Sequence, residues 1–103
     1  MQFDMSGISK ENVYKLLVAT IGPRPVAWVT TQDTDGTVNA APFSFFNAVG
    51  VDPPLVVLGI LTNPNGTMKH TAQNIRDTGE FVVSLVCEPD AERMNLKIGR
   101  AHV

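Results

Sequence analysis

Residues 26–41 read VAWVTTQDTDGTVNAA, and this stretch decides the fold. Its first six residues are rich in β-branched and aromatic side chains, which favour a β-strand. Asp33-Thr34-Asp35-Gly36 is a turn signal, and residues 37–41 read as a returning strand. The stretch therefore predicts a β-hairpin.

On the N-terminal side of the hairpin, the pattern predicts a short helix. Ser9 precedes Val13, Leu16 and Leu17, which recur at helical spacing, so Ser9 is the predicted N-cap. Gly22-Pro23-Arg24-Pro25 ends the helix, because neither proline can continue its hydrogen-bond ladder. The two prolines hold Arg24 rigidly, which suits either an anionic ligand or a surface arginine in a stiff turn.

On the C-terminal side of the hairpin, the pattern predicts two further extended segments, each preceded by proline. Pro42 interrupts the returning strand, so residues 43–49 are expected to be an edge or irregular extended segment. Residues 55–61 are apolar throughout and predict a central strand covered on both faces.

The remaining residues predict helices on either side of one more strand. Residues 68–78 form a predicted helix, with Thr67 as its cap and Gly79 in the usual stop position. A strand over residues 81–86 and a helix starting within residues 89–94 follow. This order predicts a mainly β fold, a β-barrel with peripheral helices.

Composition narrows the possible function. The chain has 103 residues, 44% of them hydrophobic, which suits one small domain. The net charge is −2 and no basic run is present, which disfavours nucleic-acid binding. Cys87 is the single cysteine, so an internal disulfide and a Cys-based zinc site are excluded. Neither a signal-peptide pattern nor a bilayer-spanning apolar run occurs, so we expect a cytoplasmic protein without a membrane partner.

No catalytic or metal-binding signature is found, but two polar clusters remain. The sequence contains no GxSxG, HExxH, GxxxxGK[ST] or GxGxxG motif, so no catalytic residue or metal ligand is predicted. Residues 39–47 place three phenylalanines beside Ser and Asn, and residues 67–74 place threonines and Lys69 near a helix start. The second cluster suits a phosphate. On pattern alone, a core strand with an edge proline and a capped surface helix are the favoured explanations, and neither cluster by itself decides the function.

Six motifs in order resemble the flavin reductase-like family, in the subgroup related to flavoredoxin and ferric reductase. They are RPVAWVTT (24–31), DG (35–36), NAAPFSFFN (39–47), DPPLVV (52–57), KHTAQNI (69–75) and GEFVV (79–83). Each motif is weak alone, but the similarity runs from about Leu16 to Met94. It implies a homodimeric FMN-binding split β-barrel with the flavin near the subunit interface.

The resemblance also implies an activity. The protein would be an NAD(P)H-dependent oxidoreductase, passing electrons from NADH or NADPH to flavin, or through bound flavin to a small-molecule or protein acceptor. A non-enzymatic flavin-binding electron carrier with the same fold is the alternative. A structural dimerisation domain that has lost its ligand is a third hypothesis.

Site residues follow from the resemblance by position. It implies isoalloxazine contacts along one wall, a neighbouring strand beside them, and contacts to the ribityl phosphate. The implied isoalloxazine contacts are Pro42, Ser44, Phe45, Phe46, Asn47 and Val49. Thr30 and Thr31 would lie on the neighbouring strand. The implied contacts to the ribityl phosphate are Lys69, Thr71 and Asn74. His70 is a departure, because the family commonly has an acidic residue there.

The C-terminus is the larger departure, because family members continue with strands that complete the barrel. Residues 1–97 are therefore expected to be an incomplete domain, truncated at the C-terminus and marginal or inactive by itself. Residues 98–103 are expected to be a non-native tail, since a common sequencing-adapter stretch would encode them. Residues 81–86 are expected to lack strand partners.

Overall fold

A computed structural model describes residues 2–85. In chain order the elements are a 3-10 turn (Met5–Gly7), α1 (Lys10–Thr20), β1 (Ala27–Gln32), β2 (Val38–Phe43), β3 (Phe46–Val51), β4 (Pro54–Leu58), α2 (His70–Thr78) and β5 (Val82–Leu85). The predictions for the helix start within residues 89–94 and for the tail at 98–103 lie outside the described residues. No helix in the described range is long and apolar enough to cross a bilayer.

The two described helices end as the sequence predicts, but one begins differently. Ser9 caps α1, because its hydroxyl oxygen accepts a hydrogen bond from the Asn12 N–H at 3.2 Å. Gly79 terminates α2 in the left-handed conformation, with a φ of 74°. The prediction that Thr67 caps α2 is wrong. Lys69 occupies the N-cap position without a side-chain cap bond, whereas Thr67 hydrogen-bonds to Asn65 within the preceding loop.

The predicted hairpin forms two strands of a three-stranded antiparallel sheet in the order β2-β1-β5, with β1 in the centre. Ala27 lies opposite Phe43, and Gln32 lies opposite Val38. The expectation that the strand near residues 81–86 lacks partners is wrong for the described residues, because β5 pairs with β1 from Ala27↔Leu85 to Thr30↔Val82.

Pro42 does not interrupt β2, contrary to the prediction. The strand continues to Phe43, and Pro42 lies opposite Trp28. In the described chain β2 is at the edge of its sheet, so one side of its backbone has no ladder partner there. A proline is tolerated in an edge strand because it removes no hydrogen bond on the unpaired side.

The apolar segment at residues 55–61 is neither central nor covered in the described chain, so that prediction is also wrong. β4 ends at Leu58 and pairs with β3 in a separate two-stranded sheet. Leu55, Val56 and Val57 are each about half exposed. Apolar composition predicts burial, but burial also requires a second layer. In the described chain Leu58, at the end of β4, packs against the core, whereas the preceding three residues stay about half exposed.

The core lies on one face of the hairpin. Ala27, Val29, Ala41 and Phe43 are buried, and Phe46, Leu58, Ile60 and Val83 pack partly buried against them. The fold is therefore mainly β with peripheral helices, as the sequence predicts.

Candidate functional site

The buried face of the hairpin changes from apolar to polar along its length. Side chains alternate between the two faces of a strand, so every second residue shares this face. Successive cross-strand pairs are Ala27 with Phe43, Val29 with Ala41, and Thr31 with Asn39. The last pair places a hydroxyl and an amide at one end of an otherwise apolar surface.

Helix α2 presents matching polar side chains to that end. Thr71 and Asn74 are three residues apart and so lie on one side of the helix. Asn39 donates from Nδ2 to the Thr71 Oγ1 at 3.0 Å, and Asn74 donates from Nδ2 to the Thr31 Oγ1 at 3.0 Å. We call Thr31, Asn39, Thr71 and Asn74 the Asn/Thr cluster.

The Asn/Thr cluster is largely closed to solvent. Thr71 is 0% exposed, Thr31 is 3% exposed and Asn74 is 8% exposed. A buried polar group without a partner costs about 1–3 kcal/mol. The two hydrogen bonds offset this cost where the polar side chains of the helix and the sheet meet. The cluster therefore fixes α2 on the hairpin at a specific position.

Lys69 lies at the start of α2, above the apolar part of the same face. Its Nζ is 5.9 Å from the centroid of the Phe43 ring. The side chain of Lys69 is not an acceptor, so the first backbone N–H groups of α2 do not donate a hydrogen bond to the N-cap side chain. The positive end of the helix dipole and the ammonium group thus lie together, which is an arrangement that attracts anions.

Phe45 belongs to a second group of contacts, at the bend between β2 and β3. Its ring centroid lies 6.0 Å from that of Tyr14, and the Arg24 Cζ lies 5.7 Å from its centroid. The Phe45 carbonyl oxygen accepts a hydrogen bond from the Gly59 N–H at 2.7 Å. Helix α1, the 22–25 turn and the end of β4 all meet at this side chain.

Arg24 has an internal role in this group. Its Nη1 donates to the Val18 carbonyl oxygen at 3.1 Å and to the Ile21 carbonyl oxygen. A cation at the C-terminal end of a helix satisfies exposed carbonyl groups and opposes the negative end of the dipole. The sequence left open an anionic ligand or a surface arginine in a stiff turn. The structure shows a half-buried arginine whose Nη1 bonds to these carbonyl groups, while its Nε is buried without a hydrogen-bond partner among the described residues.

The other predicted site residues lie along β1, β2 and β3. Ser44 is half-buried, Phe46 packs against the core, and Asn47 and Val49 are exposed. Thr30 and Pro42 lie on strand positions that alternate with those of the buried face. Thr30 lines a cavity of about 300 Å³ together with Thr31, Gln32, Val38, Glu80, Phe81 and Val82. The flavin contacts of all these residues stay a prediction.

Asn39 is the residue that sequence reasoning missed. It lies within a quoted motif, but only the structure joins it to Thr71, which is 32 positions further along the chain. The sequence did contain a signal for this contact. Asparagine is depleted in strands, so an asparagine within an apolar strand pattern indicates that its side chain has a hydrogen-bond partner. Within residues 2–85, no group of three or more His, Cys, Asp or Glu side chains is arranged to hold a metal ion.

Comparison with known proteins gives a consistent family. The family described as flavin reductase like domain matches residues 21–101. The uncharacterized protein BH2278 of Halalkalibacterium halodurans is 43% identical over 96 residues, which cover 93% of this chain and 46% of that protein.

Three solved structures share the fold. Nitrilotriacetate monooxygenase component B from Bacillus cereus superimposes with a TM-score of 0.85 at 34% identity, over 97% of this chain and 49% of that one. The 2-nitrobenzoate 2-nitroreductase NbaA of Pseudomonas fluorescens superimposes with a TM-score of 0.79 at 39% identity, over 97% of this chain and 48% of that one. A putative flavin reductase with a split barrel domain from Shewanella frigidimarina gives 0.72 at 23% identity, over 97% and 50%, and supports the fold alone. The chain thus spans about half the length of the proteins it matches.

Proposed function

Because the chain belongs to the flavin reductase-like family, we propose that it binds FMN and forms part of an NAD(P)H-dependent oxidoreductase. In this proposal, electrons pass from NADH or NADPH to flavin, or through bound flavin to an acceptor. FMN supplies the redox chemistry when bound, so the chain's own residues have to bind and orient it rather than act as acid, base or nucleophile.

The observation that carries the proposal is the position of Lys69. Its ammonium group stands at the uncapped N-terminus of α2, beside the ring of Phe43. A phosphate monoester carries close to two negative charges at neutral pH and accepts strong, charge-assisted hydrogen bonds. A lysine at the positive end of a helix dipole meets that requirement, and the aromatic residues of the 43–46 segment suit the flat isoalloxazine ring.

The two solved relatives above 30% identity support an oxidoreductase rather than a structural domain. One is a component of a monooxygenase and the other is a nitroreductase. We propose that this chain takes part in flavin-dependent electron transfer, and we make no choice of the final acceptor. Stopped-flow reduction with NADH or NADPH separates the enzyme from the electron carrier, because a carrier accepts electrons from a partner protein instead.

We also propose that the protein is a homodimer. Val49, Val51 and Leu55 on the β3–β4 sheet are 62%, 90% and 51% exposed, and such an apolar surface is costly to leave in water. Analytical ultracentrifugation measures the association directly. A monomer at high protein concentration contradicts this part of the proposal.

A pair of ligands tests the role of Lys69. FMN and riboflavin differ by the phosphate alone, so their affinities are compared by quenching of flavin fluorescence. We expect Lys69→Met to weaken FMN about tenfold or more while riboflavin changes little, because a hydrogen bond to a charged group contributes about 1.5–3 kcal/mol. Lys15→Met, which removes an exposed lysine from α1, is the matched control and should affect neither ligand.

The outcomes separate the site from the function. If the parent chain binds neither flavin, the proposed function fails. Equal weakening of both ligands by Lys69→Met would show that Lys69 does not contact the phosphate.

A further inference from the structure

Two side-chain hydrogen bonds join α2 to the hairpin, and they run in opposite directions. In one, Asn39 of the sheet donates to Thr71 of the helix; in the other, Asn74 of the helix donates to Thr31 of the sheet. In both, an amide donates and a threonine hydroxyl accepts. Since Thr31 and Asn39 are themselves a cross-strand pair, the four residues form a closed contact between two strands and one helix.

The burial of Thr71 limits what it can touch. It has no exposed surface, and its hydroxyl oxygen accepts a hydrogen bond from Asn39. Lys69, two residues earlier, is half-buried and reaches the Phe43 ring with its ammonium group. Within the first turn of α2, Thr71 is therefore turned toward the protein, whereas Lys69 retains access to solvent.

Strand β2 contacts this first turn at two places. Asn39 and Phe43 are four residues apart on the strand and so share a face. Asn39 holds Thr71, and Phe43 lies under Lys69. The hydrogen bond has strict geometry, whereas a cation above a ring tolerates wide displacement, so the hydrogen bond is the contact that sets where the turn sits.

We propose that Asn39 is a positioning residue for anion binding: by holding the buried Thr71, it places Lys69 where the phosphate of FMN binds. This inference rests on the proposed function and goes beyond it, because it assigns Asn39 a role and makes the contribution of Thr71 indirect. Loss of the Asn39–Thr71 bond leaves the lysine present but misplaced.

The test compares variants by the ratio of FMN affinity to riboflavin affinity, a quantity that a general loss of stability does not move. Asn39→Leu keeps the size of the side chain and removes the donor. Thr71→Val removes the acceptor. The double variant removes both partners, so no buried polar group is left unpaired and the chain stays folded if either single variant does not.

We expect each single variant to lower the ratio severalfold and the double variant to lower it no further, since all three break one hydrogen bond. In the double variant, Lys69→Met should have a much smaller effect than in the parent chain. Gln73→Met is the control, because it removes an amide that bonds to Asp77 on the exposed side of the same helix, and it should leave the ratio unchanged.

Each contrary result has a separate meaning. If Lys69→Met leaves the parent ratio unchanged, the phosphate site of the proposed function fails and the role of Asn39 fails with it. If Lys69→Met acts but Asn39→Leu does not, the positioning role alone is overturned. If Thr71→Val costs more than Asn39→Leu and the two effects multiply, Thr71 contacts the phosphate directly and the inference is wrong.

Discussion

Gly59 is expected to be intolerant of any side chain because of its closeness to Phe45. It follows β4, and its N–H donates to the Phe45 carbonyl oxygen at 2.7 Å. A Cβ atom added at Gly59 would lie 2.9 Å from the Phe45 Cβ and 3.5 Å from the Phe45 Cδ2. The shorter distance is below normal van der Waals contact, and both atoms are held by backbone, so the two segments have to separate.

The expected cost is purely steric. Among the described glycines, φ is positive at Gly36, Gly66 and Gly79 but not at Gly59, so alanine meets no backbone penalty at Gly59. Forcing an extra methyl group into a packed contact costs about 1–3 kcal/mol. We expect Gly59→Ala to lower the free energy of unfolding by that amount in urea denaturation. Gly7→Ala is the control, because nothing lies within 4 Å of its added Cβ.

Phe45→Leu identifies the atoms responsible. Leucine keeps the Cβ that makes the 2.9 Å contact, so we expect it to give no rescue of Gly59→Ala. Restored stability would show that the aromatic ring, rather than the close backbone approach, causes the clash. If Gly59→Ala and Gly7→Ala have the same free energy of unfolding, the segment around Gly59 can move away from Phe45 at no cost, and the reasoning is refuted. Because Phe45 is a predicted isoalloxazine contact, Gly59→Ala should weaken FMN and riboflavin alike, in contrast to Lys69→Met.

Two further stability predictions use the same denaturation assay. Val29 is 0% exposed, so Val29→Ala should cost about 2 kcal/mol through lost burial and a cavity, whereas Val51→Ala, at a site that is 90% exposed, should change stability by less than about 0.5 kcal/mol. Equal effects at the two sites would contradict the assigned core. Ser9→Ala should lower the free energy of unfolding by about 1 kcal/mol, because it removes the cap of α1. Ser9→Asp should keep most of that stability, because aspartate also caps helices. An equal loss in both variants would argue against the cap.

Local chemistry was sufficient for much of the fold. The hairpin of β1 and β2, the cap at Ser9 and the stop at Gly79 each depend on a few neighbouring residues. Such features are encoded within one turn or one strand, so the sequence predicts them directly. The family could also be identified from the sequence, because six short motifs occur in order along the chain.

Other features depended on which segments meet. Pro42 fits within β2 because that strand is at a sheet edge, and residues 55–57 of the apolar β4 are about half exposed because the described chain does not fully cover the faces of the β3–β4 sheet. Neither fact is a property of the segment itself.

The candidate site shows the same division between sequence and tertiary structure. The sequence pattern placed threonines and Lys69 near a helix start, and the resemblance to the family implied Lys69, Thr71 and Asn74 as phosphate contacts. The tertiary structure alone decided that Thr71 and Asn74 face the hairpin, and that Asn39 belongs with them. The physical reason is that a buried polar group needs a partner, and here the partners are 32 and 43 positions away in the chain, beyond the range of any local pattern.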